Sequence, residues 1–232
     1  MTGTLINIAT VLVGGLLGLL FGSRFPEKVR QTVVAGLGLF TMGYGIFNFI
    51  KTNNPLIVLG GLLIGVLLGE WWRIEDGLKN LGNFLETRFS RKEDSNSQFV
   101  RGFLVASILF CVGPMTILGS IQDGLSGDYS ILATKAVMDG FAALAFTSTL
   151  GVGVMFSVLP ILLYQGGLSL LAAQLSSVIT TPMMTEMTAT GGLLLVGIAI
   201  SSLLEIKPIR VGNFLPSLVI SPLIVAILTL LK

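Results

Sequence analysis

Eight apolar runs, at about 3–22, 31–50, 55–72, 101–121, 131–150, 154–176, 188–204 and 212–231, alternate with short polar gaps. A bilayer core about 30 Å thick needs roughly 20 apolar residues per crossing helix, and each run is close to that length. The pattern predicts an all-α fold: a polytopic transmembrane bundle of seven or eight helices, forming a single integral membrane domain over 1–232. Two places leave the count open. Run 154–176 contains Pro160 and the pair Gly166-Gly167, and the segment 177–187 is itself fairly apolar. A re-entrant element in either place would invert everything after it.

The one extended polar stretch is 73–100. Ile74, Leu78, Leu81 and Leu85 recur there at helical spacing, which predicts an amphipathic helix lying along a membrane face. Trp71 and Trp72 precede it, at the headgroup level that indoles favour. Its second half, RKEDSNSQ, reads as a solvated loop.

Composition agrees with the pattern. The chain is 53% hydrophobic and 11% charged, with a mean hydropathy of +0.90, whereas soluble domains carry about 25% charged residues. Charge placement supplies a topology. Eleven of the fourteen Lys and Arg residues fall in alternate gaps: Arg24, Lys28 and Arg30; Arg73, Lys79, Arg88, Arg91, Lys92 and Arg101; Lys207 and Arg210. Cations concentrate on the cytoplasmic side of membrane proteins, so eight crossings place both termini outside. No basic stretch precedes the first run, and it is read as a retained helix. The cations are spread over several loops, which excludes a nucleic-acid patch.

There is no histidine, and Cys111 is the one cysteine. Imidazole metal sites, Ser-His-Asp catalysis and intrachain disulfides are excluded, and no Walker loop, dinucleotide fingerprint or nucleophile elbow occurs. The expectation is a protein that is not an enzyme and carries no cofactor or metal. Gly14, Gly18 and Gly22, then Gly61, Gly65 and Gly69, form small-residue stripes. These serve either tight packing inside the bundle or association between copies, with a dimer favoured.

Ionisable groups inside a membrane span are functional candidates by default. Lys135 and Asp139 stand one helical turn apart in the fifth run, where they form either a structural ion pair or a solute- or ion-coupling site. Thr147 and Ser148 follow on the same helix as further oxygen donors. Gly113-Pro114 interrupts the fourth run, and proline removes a backbone donor there. The break is either a packing kink or a solute-lining gap; Thr116, Gln122 and Asp123 follow it. Asn7 reads as an interhelical hydrogen bonder. Glu70 and Glu205 read as interfacial partners of Arg73 and Lys207, and SSVITTPMMTEM at 176–187, with Glu186, as an outer gate.

A duplication is suggested by GGLL at 60–63 and 191–194 and by GNFL at 82–85 and 212–215. Two four-element halves would result, 1–121 and 131–231, parallel or, with a re-entrant element, inverted. Repeats of both kinds are characteristic of transporters.

Several segments together, GTLIN, LGEWWRIE, FCVGPMTILGSIQDGL, KAVMDGFAALAFTSTLGVGV, LLYQGGLSLLAAQL and EIKPIRVGNFLPSL, resemble the YqgA/YdfK-like family of bacterial inner-membrane proteins, a domain of unknown function. The resemblance runs nearly end to end. It implies a multi-pass protein of the bacterial cytoplasmic membrane and supplies no substrate or site residues. The residues themselves point to a secondary transporter moving a small polar or charged solute by alternating access. The rival is a non-transporting structural or regulatory membrane protein that associates through its glycine-rich faces.

Overall fold

The computed structural model describes residues 1–22, 26–89 and 96–231. Every element among them is helical: α1 Thr2–Gly22, α2 Glu27–Phe49, α3 Pro55–Trp72, α4 Ile74–Phe89, α5 Asn96–Cys111, α6 Pro114–Ser126, α7 Ser130–Leu150, α8 Val158–Leu170, α9 Ala172–Ser176, α10 Thr181–Ile198 and α11 Ser217–Leu230. Seven spans among the described residues are long and apolar enough to cross a membrane, and α5 with α6 makes an eighth if that bent pair is one span.

The element boundaries follow local chemistry. Asn54 caps α3 by accepting the Leu56 N–H, with Pro55 in the first turn, where a missing donor costs nothing. Thr180 and Pro182 start α10 in the same manner, so half of the supposed gate at 176–187 is the first turns of a helix. Gly166-Gly167 sits uninterrupted within α8, and Pro160 lies in its first turn. The solvated loop expected at 91–98 is shorter than that, because α5 already begins at Asn96; residues 90–95 lie outside the described residues. The expected amphipathic helix is α4, and its Leu85 is buried against Phe99, Val100 and Phe103 of α5.

The described chain forms two compact units, each assembled from two sequence segments: Met1–Leu37 with Lys79–Ser177, and Gly38–Leu78 with Val178–Lys232. Neither coincides with the halves 1–121 and 131–231. The two GNFL segments also differ in structure, Gly82–Leu85 lying inside α4 and Gly212–Leu215 at a 3-10 turn before α11.

In the first unit α1 and α7 run parallel. Gly3 lies on Leu132, Gly14 on Gly140 and Gly18 on Leu144, so residue numbers rise together along both helices. The crossing is tight, since a Cβ at Gly14 would stand 2.0 Å from the Gly140 carbonyl oxygen. In the second unit α3 lies antiparallel to α11, with Gly61 on Ser221, Gly65 on Ser217 and Gly69 on Asn213. The second half of α2 runs antiparallel to α10, through Gly45 against Gly192 and Gly38 against Leu203 and Leu204. Gly14 and Gly18 of the first stripe and all three glycines of the second are thus spent on packing within a unit, which lets helix backbones touch where lipid supplies no hydrophobic drive.

The stripe makes a direct prediction. Gly65→Ala places a methyl 2.5 Å from the Ser217 amide nitrogen and should destabilise the purified protein by about 1–3 kcal/mol. Gly43 of α2 has nothing within 4 Å, so Gly43→Ala should leave stability unchanged or raise it by about 0.5–1 kcal/mol. Unfolding in detergent, read by circular dichroism, separates the two.

Candidate solute or ion site

One face of α1 is buried along its length: Gly3, Thr4, Asn7, Val11, Gly14, Gly15 and Gly18, the spacing of a single helical stripe. Its N-terminal half is polar, and it meets the charged turn of α7. Lys135 and Asp139 lie at i,i+4 and form an ion pair, with only 6% and 8% of each residue exposed. Asp139 is the tenth of 21 residues in α7, about 14 Å along the helix at 1.5 Å per residue. That depth is close to the middle of a hydrocarbon core.

Two neighbouring helices complete the cluster. The Asn7 amide of α1 donates to Asp139 Oδ2 at 3.0 Å and to Gln165 Oε1 of α8 at 3.0 Å. Gln165 Nε2 in turn donates to Thr4 Oγ1 at 3.2 Å. Asn7 must present nitrogen to an ionised carboxylate, because a carboxylate only accepts. That orientation leaves Asn7 Oδ1 buried without a protein hydrogen-bond partner. The interhelical role expected of Asn7 is therefore what the structure shows. Gln165, Thr4 and Ser169 escaped sequence reading. A lone amide in the apolar segment LLYQGGL was the available signal for the first.

At the N-terminal end of this stripe, Asp123 Oδ2 accepts the Gly3 N–H at 3.2 Å and lies 2.9 Å from the Met1 ammonium. A polar path thus runs from Asp123 through Gly3 and Thr4 to Gln165, Asn7, Asp139 and Lys135, with α1 as its spine.

The remaining predicted residues separate. Ser148 donates to the Ala145 carbonyl at 2.8 Å and is spent on its own helix. Thr147, on the face that meets Gly15 and Gly18, keeps a buried hydroxyl without a protein partner. The break at Gly113-Pro114 bends α5 against α6 by 61°, and Gly113, at φ 154°, adopts a conformation that favours glycine. Proline at 114 leaves the Phe110 carbonyl without its helical donor, but the Thr116 hydroxyl takes its place at 3.3 Å. The carbonyl freed by the break is therefore satisfied within the protein. Gln122 stands apart from the cluster. It donates to Asp128 Oδ2 at 2.6 Å in the exposed α6–α7 turn. There the Ser130 backbone N–H, with its hydroxyl and the Gln122 amide, holds the Asp128 carboxyl below the usual carboxylate range.

The second unit uses its charges differently. Buried Glu186 accepts the N–H groups of Asn53 and Asn54 and the Thr52 hydroxyl, clasping the α2–α3 turn. This corrects the gate reading. Glu75 Oε2 accepts the Gly212 N–H at 3.0 Å, and Asn213 Oδ1 accepts the Glu75 N–H at 2.8 Å. Glu70 pairs with Arg210, which also meets Asp76; these contacts raise the Arg210 guanidinium further, Asp76 most strongly. The expected Glu70–Arg73 pair does not form, because Arg73 turns the chain out of α3 in a left-handed conformation.

The family described as "Protein of unknown function (DUF554)" matches residues 2–226. The chain belongs to this family. It is 36% identical to the "Uncharacterized protein YqgA" of Escherichia coli (strain K12), over 94% of each chain. It is 29% identical to the "Uncharacterized membrane protein YdfK" of Bacillus subtilis (strain 168), over 98% of this chain and 97% of that one. No solved structure matches the chain. With a membrane-protein relative and seven candidate spans, the chain is a multi-helix membrane protein.

The buried pair generates its own prediction. Lys135→Met leaves Asp139 uncompensated in an apolar helix and should cost about 3–5 kcal/mol, whereas the double variant Lys135→Met/Asp139→Leu should recover most of it. Unfolding midpoints of the three proteins in detergent check this.

Proposed function

We propose that this protein is a secondary transporter for a small polar or charged solute, with the Lys135–Asp139 pair as its switching centre. The observation that carries the reading is the buried polar path of the first unit, which leads from Asp123 at the end of α6 to an ion pair at mid-helix depth. An ion pair has no stability advantage over well-packed apolar residues of similar size, and such groups within spans mark solute and ion pathways. In the resting arrangement the Lys135 ammonium neutralises Asp139. A proton on Asp139 discharges the carboxylate and releases Lys135 to meet an anionic group on the solute; loss of that proton to the other side restores the pair and expels the solute. A cation at Asp139 acts in the same way.

The membrane orientation belongs to the same proposal. If α2 and α3 each cross, the parallel course of α1 and α7 requires α5 and α6 together to cross once more. The antiparallel pairs α3–α11 and α2–α10 fit the same eight crossings. The gaps that hold eleven of the fourteen Lys and Arg residues then face the cytoplasm of a bacterial cell, and both termini lie outside. In a Cys111→Ala background, Asp128→Cys should react with an impermeant thiol reagent on whole cells and Lys207→Cys only after permeabilisation; the reverse pattern inverts the topology.

The second reading, a non-transporting structural or regulatory subunit, is favoured by the internal satisfaction of Asp139 by Lys135. The charge-free variant Lys135→Gln/Asp139→Asn distinguishes the two. It should insert and fold while losing proton- or solute-driven flux in reconstituted vesicles by at least about tenfold, the scale of a single lost charge interaction. Undiminished flux in that variant ends the transport mechanism through this pair. Wild-type vesicles showing no flux across an ion and metabolite panel, together with a stoichiometric membrane partner on purification, support the second reading.

A further inference from the structure

Beyond the ion pair, three buried oxygens of the first unit lack protein hydrogen-bond partners around one helix junction: Ser120 Oγ and Asp123 Oδ1 of α6, and Ser169 Oγ of α8. None of the three residues is more than 4% exposed. Buried polar atoms without partners are uncommon in native structures, and a bound water or ion is one of the things that satisfies them. The helix registers bring them together. Gly124, next to Asp123, packs against the Ser169 backbone so closely that a Cβ there would stand 2.1 Å from the Ser169 carbonyl oxygen. Ser120 lies one turn before Gly124 on the same face of α6 and so also faces α8.

The electrostatics select the sign of the ligand. Asp123 is in the last turn of α6, which ends at Ser126, and Ser169 is in the last turn of α8, which ends at Leu170. Helix C-termini carry partial negative charge and unpaired carbonyls. The C-terminal end of α6 and its carboxylate therefore meet the last turn of α8 in one buried place. The Met1 ammonium and the Gly3 N–H engage Asp123 from α1, both at Oδ2, and leave Oδ1 unused. The donors are hard oxygens, one carboxylate and two hydroxyls, which suit a hard cation. No group of three or more Asp, Glu, Cys or His residues fit for a metal ion occurs among the described residues, so the charge of a divalent ion would go unmatched.

We infer that Ser120, Asp123 and Ser169 form a binding site for a hard monovalent cation, of which sodium is the natural probe. The site shares the α1 spine with the Lys135–Asp139 centre but does not rest on it.

The test is the melting temperature of the purified full chain in detergent, in sodium, potassium and choline chloride at equal ionic strength. Sodium should raise the midpoint over choline by about 5–10 °C at 100 times its dissociation constant, with saturation. The variant Ser120→Ala/Ser169→Ala should lose that increment while matching the wild-type midpoint in choline. Equal midpoints of the wild type in sodium and choline overturn the site, and so does an undiminished shift in the double variant. If the double variant does not fold, the single variants decide: a full sodium shift in both overturns the assignment. Asp139→Asn should keep the sodium shift. A kept shift in a variant that still transports normally leaves the cation site standing and removes the mechanism proposed for Asp139.

Discussion

The approach of α1 to α7 at Gly14 and Gly140 governs the rest of the first unit. Asparagine and aspartate have short side chains, and they reach one another between helices only where backbones nearly touch. With glycine at the crossing, Asn7 lies within 3.0 Å of Asp139 Oδ2 and can also reach Gln165 of α8. A larger residue at 14 would push α1 outward and cost Asn7 its bonds to Asp139 and Gln165. Glycine here is thus a condition for the polar cluster as much as for the packing.

The broken helix shows how backbone polarity is managed at depth. A proline at position 114 denies the Phe110 carbonyl its usual donor, and Thr116 replaces it with a hydroxyl. Lipid offers no water for such a group, so a partner within the protein is obligatory. The break therefore closes on itself, and what it delivers is a short helix, α6, that ends close to α8. That ending gathers Ser120, Asp123 and Ser169 at one junction. The consequence of the Gly-Pro break lies at the far end of α6, not at the break.

Four of the buried carboxylates divide into two kinds. Glu186, Glu75 and Asp123 each accept backbone N–H groups from a turn or from the start of a helix, where unpaired donors and positive dipole ends collect. They act as clasps holding sequence-distant segments within a unit. Asp139 accepts from two side chains, Lys135 and Asn7. A clasp needs only its fixed backbone donors, whereas a side-chain partner can leave, and this difference separates Asp139 from the other three.

The sequence alone determined the helical membrane class, the positions of most spans, the amphipathic α4 and the pairing of Lys135 with Asp139, because length, apolarity and i,i+4 spacing are local properties of the chain. Even Asn7 was legible, since an amide in an apolar run must find a partner. The destinations of the polar groups were not legible. Gln165 joining Asn7, Glu186 clasping the α2–α3 turn, Arg210 taking Glu70 from Arg73, and Thr116 sealing the break all join or re-pair residues through three-dimensional proximity. The glycine stripes make the same point: their spacing announced a close contact, but only the fold showed Gly14 spent on α7 and Gly65 on α11. Covalent order fixes which residues share a helix face. Which faces meet is decided by packing among all the helices at once, and so the site belongs to the tertiary structure.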